Sequence, residues 1–146
     1  MGFKAAFTMN DVKAHMDKAK QGFEESLLDE FRRTGEQFIA DARSIRTYQD
    51  QTGNLRGSIG YALFKDGQML ERSFPGGDVT GSGGTLAKWV ANSYKRGYLL
   101  VVVAGMFYAQ YVEAKSYDVL TGSSYAAETN IKARVKNLFD MLNRKK

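Results

Sequence analysis

His15 is the only histidine of the chain, and there is no cysteine. Zinc sites need three or four convergent protein ligands. A single imidazole among Lys13, Asp17 and Lys18 therefore reads as a surface side chain. General-base work by the same ring needs a nucleophile beside it, and the sequence offers none. Glu113 stands between Val112 and Ala114, close to Tyr108 and Tyr111. A carboxylate in such company could be perturbed, but acid–base catalysis needs a second acid at a defined spacing, and that acid is missing. No serine is bracketed by glycines two positions to either side, which removes the esterase elbow. The absence of cysteine also excludes disulfides, thiolate zinc sites, iron–sulfur clusters and cysteine nucleophiles. The residues predict no catalytic, cofactor-binding or metal-binding site.

Pro75 to Gly84 reads Pro-Gly-Gly-Asp-Val-Thr-Gly-Ser-Gly-Gly and lies between a strand pattern and a helix pattern, where phosphate cradles occur. The details fail. A P-loop needs lysine directly after its last glycine, and here Gly84 is followed by Thr85 and Leu86. Gly81 and Gly83 are followed by Leu86, where a dinucleotide fingerprint needs a third glycine. The expectation is a mobile loop over 75–84 that orders against a partner subunit.

The elements that would carry these residues can be read from periodicity. Thr8 and Asp11 have the spacing of a capping box. Behind them Val12, Met16, Ala19, Phe23, Leu27, Phe31, Phe38, Ala42 and Ile45 form one amphipathic stripe. The spacing predicts a helix over 9–46, roughly 55 Å long, with Gly22 and Gly35 as places where it kinks or divides. The period then becomes two: Leu55, Ile59, Tyr61 and Leu63 alternate with Asn54, Arg56, Ser58 and Gly60, which predicts a strand. Asp66-Gly67 predicts a two-residue hairpin turn, with the returning strand over Gln68–Phe74. Thr85 is placed to cap a helix running to Tyr94, with Leu86, Trp89, Val90 and Ser93 along one side and Gly97 beyond its end. Tyr98–Gly105 is continuously apolar and valine-rich, the pattern of a central strand covered on both faces. Met106–Lys115 suits a short helix, although its aromatic residues also tolerate a strand. Ser124 opens a last helix with Ala127, Ile131, Val135, Leu138 and Leu142 on its buried stripe.

At 146 residues and 16.3 kDa the chain has the size of one domain, residues 1–146, with 43% hydrophobic and 25% charged residues. Its longest apolar run, Leu99–Met106, is far below the ~18–20 residues that span a bilayer, so no membrane role is expected. The first residues lack the apolar core of a signal peptide, which predicts a cytoplasmic place of synthesis. The net charge of +5 arises at one end. Residues 1–131 balance fifteen cations with fifteen acids, whereas residues 132–146 carry Lys132, Arg134, Lys136, Arg144, Lys145 and Lys146 against Asp140. Cations suit a helix C-terminus, and a nucleic-acid binder more often spreads them over a face. A small basic nucleic-acid-binding module remains an alternative.

Two stretches carry a resemblance. Thr52-Gly53-Asn54-Leu55-Arg56-Gly57-Ser58-Ile59 resembles the strand entry of a family of small proteins from long-tailed bacteriophages. Its matching positions are Thr52, Gly53, Leu55, Arg56, Ser58 and Ile59. Phe107-Tyr108-Ala109-Gln110-Tyr111-Val112-Glu113 resembles the family's second signature, through Tyr108, Ala109, Tyr111, Val112 and Glu113. The family comprises minor tail components, also described as tail-completion or head–tail joining (neck) proteins, and the resemblance covers roughly residues 10–143. It implies an α+β domain: a long N-terminal amphipathic helix, an antiparallel sheet with a hairpin, short central helices and a C-terminal helix. It implies a structural virion protein, made in the bacterial host cytoplasm, whose copies form a ring at the head–tail junction. The implied partners are copies of itself, portal or head-closure adaptor proteins, and tail terminator or tail-tube proteins, near packaged DNA. No cofactor is implied. The subunit contacts are expected at Gly76, Gly77, Asp78, Val79, Thr80, Gly81, Ser82, Gly83 and Gly84, and at the hairpin tip Asp66-Gly67. The nearest alternative is a tail terminator or other tail-assembly protein.

Overall fold

Thr8 and Asp11 close the capping box: the Asp11 amide donates to Thr8 Oγ1 at 3.2 Å, and the Thr8 amide donates to the Asp11 carboxylate at 2.7 Å. Bonds donated to it by the Thr8 amide and the Thr8 hydroxyl hold the Asp11 carboxyl below its usual range. From this cap the computed structural model, which describes residues 2, 6–45, 53–77, 82–104 and 121–144, runs one unbroken helix, α1 (Met9–Ser44). Neither Gly22 nor Gly35 interrupts it. Gly35 has a packing reason instead: a Cβ there would lie 2.6–2.8 Å from the Tyr61 ring, so glycine lets the helix rest on the sheet.

The strand expected from Leu55 begins four residues later. Asn54–Gly57 forms a single helical turn, α2, and β1 spans Ile59–Lys65. Leu55 and Ile59 are four apart, a spacing that satisfies a helical turn as well as a strand, which is why periodicity alone misplaced the boundary. Gly53, at φ +72°, reverses the chain, and the amide of Gly57 donates to its carbonyl at 2.9 Å.

Asp66 and Gly67 have φ of +51° and +81°, the paired positive values of the expected hairpin turn into β2 (Gln68–Ser73). A bulge lies between Leu63 and Phe64. Then follow α3 (Ser82–Ala91), β3 (Tyr98–Ala104) and α4 (Thr121–Arg144). The helix α3 starts at Ser82 rather than Thr85, so the last three residues of the expected loop are helical. Asp78–Gly81 of that loop and the segment 105–120 lie outside the described residues.

The fold is α+β. Three antiparallel strands stand in the order β2-β1-β3. Among the described strands the central one is therefore β1, all of whose residues from Ile59 to Phe64 are buried, and not the valine-rich β3. Among the described strands β3 lies at an edge, with Tyr98–Leu100 and Val102 half-buried. Alternation along β1 divides the core. Ile59, Tyr61 and Leu63 face α1 and α4 with Phe38, Ile39, Ala42, Leu55, Ala104 and Ala127. Ala62 and Phe64 face α3 with Ala87, Ala91, Val101 and Val103. The result is three layers: a pair of long helices, a sheet, and a short helix. The long pair is antiparallel, since Arg134 meets Glu30 at 3.4 Å while Phe139 meets Phe23 with ring centroids 5.4 Å apart. Among the described residues no helix is long and apolar enough to cross a membrane.

Candidate functional site

Gly53, Leu55, Arg56, Ser58 and Ile59 of the first signature assemble the joint between α1 and the central strand. Leu55 and Ile59 are fully buried. Ser58 Oγ donates to the Leu55 carbonyl at 2.8 Å, which satisfies a buried hydroxyl. Arg56 Nη2 donates to the carbonyl of Ile45, the C-cap of α1, at 3.0 Å, so a cation sits where the helix dipole is negative. These residues build a turn and hold no reacting group. Thr52, and Tyr108, Ala109, Tyr111, Val112 and Glu113 of the second signature, lie outside the described residues.

The expected contact loop is changed in character. The Gly77 amide donates to the Phe74 carbonyl at 2.9 Å in a tight turn, and Gly76 packs backbone to backbone on Gly57. Gly83 and Gly84 are buried within α3, on the same face as Ala87 and Ala91. They are an internal packing surface and no free loop. The hairpin tip is also tied down: the Asp66 amide donates to the Gly97 carbonyl at 2.9 Å, and the Gly97 amide donates to Asp66 Oδ1 at 2.8 Å.

Polar side chains are spent on holding layers together. Arg32 donates through Nε to Glu71 at 2.6 Å and through Nη1 to Asp29 at 2.7 Å, joining α1 to β2. Glu36 accepts from Tyr61 Oη and Ser73 Oγ, each at 3.1 Å. Burial and the Glu36 carboxylate push the Tyr61 phenol well above its usual range, so it stays a donor. Glu24 accepts from Lys65, which holds its carboxyl down and the Lys65 ammonium up. The open cleft lined by Arg32, Arg33, Glu36 and Arg134 has its arginines paired to Glu71, Asp29 and Glu30, so it offers no excess positive charge for an anion. Among the described residues no three metal-capable side chains converge, and His15 stands exposed on α1.

What the surface does offer is apolar. Comparison with protein-family models, curated proteins and solved structures yields no match. The geometry alone therefore points to function, and three surfaces stand out. The first is the outer face of α3, where Trp89 is 72% exposed, Leu86 40% and, just beyond the helix, Tyr94 56%. Leu86 and Trp89 lie on the side that the sequence pattern groups with Val90 and Ser93. The helix instead buries Gly83, Gly84, Ala87 and Ala91, which let its axis approach the sheet closely and turn the larger side chains outward. The sequence signal for that inner face is the row of small residues Gly83, Ala87 and Ala91, four apart. The second surface is a groove of about 250 Å³ between the edge of β3 and the α1–α4 pair, lined by Phe31, Tyr98, Leu100, Val102, Ala127 and Ile131. The third is the far end of the helix pair, where Met9, Met16, Phe139, Met141 and Leu142 are exposed. Met16 and Leu142 were expected on buried stripes; no described element covers them.

Proposed function

We propose that this chain is a structural protein of virion assembly, whose copies form a ring at the head–tail junction of a long-tailed phage. The observation that carries the reading is the use made of the first signature. Gly53, Leu55, Arg56, Ser58 and Ile59 serve the joint between long helix and central strand, as expected of an architectural motif. The apolar side chains that stand exposed on both sides of the sheet among the described residues support it, since contiguous exposed apolar patches mark association sites. Portal or head-closure adaptor proteins on one side, and tail terminator or tail-tube proteins on the other, are the partners this role requires.

A nucleic-acid role for the basic end has less support. Arg134 is engaged by Glu30 and Lys132 by Glu128, which leaves Lys136 and Arg144 as the cations of α4 without an ion pair among the described residues. Lys145 and Lys146 lie outside the described residues, and steeply salt-dependent DNA binding lost on removing Arg144, Lys145 and Lys146 would favour this reading.

The test is negative-stain electron microscopy of particles made with the gene disrupted. Filled heads beside separate, complete tails are the expected result. Abnormally long tails would assign the terminator role instead, and intact infectious virions would overturn the proposal.

A further inference from the structure

Cations are used differently on the two sides of the sheet. On the side covered by α1 and α4, Arg32, Lys65 and Arg134 are each paired to a carboxylate. On the side covered by α3, Arg72, Lys88, Lys95 and Arg96 are exposed and form no ion pair among the described residues. Arg72 belongs to this side by register, since it stands opposite Ala62, which packs with Ala87 and Ala91. The chain carries no acid between Asp78 and Glu113, so α3 and the turn after it supply positive charge only. Asp66 reaches that turn from the hairpin tip, where its carboxylate accepts from the Gly97 amide at 2.8 Å. That single carboxylate does not balance four cations. Planar rings stand among the charges. Trp89 directly follows Lys88 and is 72% exposed; Tyr94 directly precedes Lys95 and Arg96 and is 56% exposed. Association between proteins makes a different demand, because the core of a protein interface is depleted in lysine and shields its aromatic anchors with neighbours that exclude water. On α3, Leu86 is the one large aliphatic side chain exposed beside Trp89.

We infer that the outer face of α3 binds single-stranded nucleic acid, with Trp89 and Tyr94 as stacking rings and Arg72, Lys88, Lys95 and Arg96 as phosphate contacts. Charge complementarity selects the occupant. Phosphates meet the unpaired cations and release their counterions, while unpaired bases stack on the two exposed rings. A duplex keeps its bases stacked on one another and offers those rings no partner, so single strands are preferred. The inference does not depend on the assembly reading, and it concerns the opposite side of the sheet from the basic end of α4.

The test is fluorescence anisotropy of the full chain with a labelled thymidine oligonucleotide of about 16 nucleotides, over about 50–200 mM salt, with thermal unfolding as a control. Wild type is expected to bind this strand and to hold it more tightly than a duplex of the same length. Trp89→Ala is expected to weaken binding about tenfold, the scale of one lost stacking contact, while Trp89→Phe keeps a ring and loses less. Lys88→Gln, Lys95→Gln and Arg96→Gln in one chain are expected to flatten the log–log salt dependence by about 2, at about 0.7 for each phosphate contact. These side chains are exposed, so the melts are expected to stay in place. A chain carrying Arg144→Gln, Lys145→Gln and Lys146→Gln is expected to bind nearly as the wild type does. Absence of binding, or binding unchanged by the α3 substitutions, would overturn the inference. Loss confined to the variant at 144–146 would do the same and assign the site to the end of α4. Polyglutamate that displaces the labelled strand as well as unlabelled oligonucleotide does would assign the face to an acidic protein segment instead. Equal binding of the duplex, with no effect of Trp89→Ala, would remove the stacking rings and the inference with them.

Discussion

Glycine has opposite meanings at two positions of one helix. Gly22 is exposed with nothing within 4 Å of a notional Cβ, whereas Gly35 is buried against the Tyr61 ring. Gly22→Ala is expected to stabilise the protein by about 0.5–1 kcal/mol, because alanine restricts the unfolded chain and suits a helix interior. Gly35→Ala gains the same helix propensity but forces Tyr61 aside, and overpacking costs about 1–3 kcal/mol. Urea unfolding of the two variants is expected to move the midpoint in opposite directions. Equal stabilisation by both would show that Tyr61 yields freely. The spacing of apolar residues reveals that both glycines lie in a helix, but it cannot reveal which one meets another layer. That depends on Tyr61, 26 positions away in the sequence.

The long helix does two jobs along its length. From Glu24 to Ala42 it is tied to the hairpin and α4 through the Lys65, Arg32 and Arg134 pairs and through Phe38 and Ile39 in the core. From Lys13 to Gly22 every residue is exposed, although the capped stripe continues through Met16 and Ala19. Deletion of residues 1–15 is therefore expected to leave the unfolding midpoint close to that of the full chain, since among the described residues it removes no buried side chain. Circular dichroism would register the lost helical residues while the melt stays in place. A large fall in the midpoint would mean that the overhang contributes to the core. Amphipathicity announced this segment as a helix; the stripe does not say how much of it is covered, because cover is supplied by α4, whose described residues end at Arg144.

At the scale of the molecule, charge pairs link the layers and set the response to acid. The Glu24 carboxyl is held below its ordinary value of 4.5, first by the hydrogen bond from Lys65 and then by one from Tyr98. A depressed carboxyl contributes stability that is present above its unfolded value and is lost as pH falls through the folded one. Lys65, raised above 10.5 by the same partner, contributes stability present below its unfolded value and lost as pH rises through the folded one. The pair therefore works across the whole neutral range and fails at both ends. Glu24→Gln is expected to flatten the acid limb of a stability-versus-pH curve below 4.5, measured by denaturant unfolding at stepped pH. An acid limb as steep as that of the wild type would assign the acid sensitivity to other carboxylates.

Local rules alone were enough for much of this chain. The Thr8–Asp11 box, the Asp66-Gly67 turn, the length of α1 and the stripe of α4 from Ala127 to Leu138 depend on residues a few positions apart. Capping bonds, positive φ and the 3.6-residue period act at that range. The same reasoning placed Leu55 and Ile59 toward the core, where both are buried. Three matters could be settled only by packing across the layers. Among the described strands the central one is β1, because the hairpin brings β2 to one side and β3 pairs with the other. The glycines at 83 and 84 are buried in a helix, because a close fit to the sheet rewards small side chains there. Trp89 points outward for the same reason: once Ala87 and Ala91 form the inner face, a helix of ten residues leaves its large apolar side chains on the other. Hydrophobicity can be read residue by residue, but which hydrophobic face is covered is a property of the neighbours that the fold brings to it.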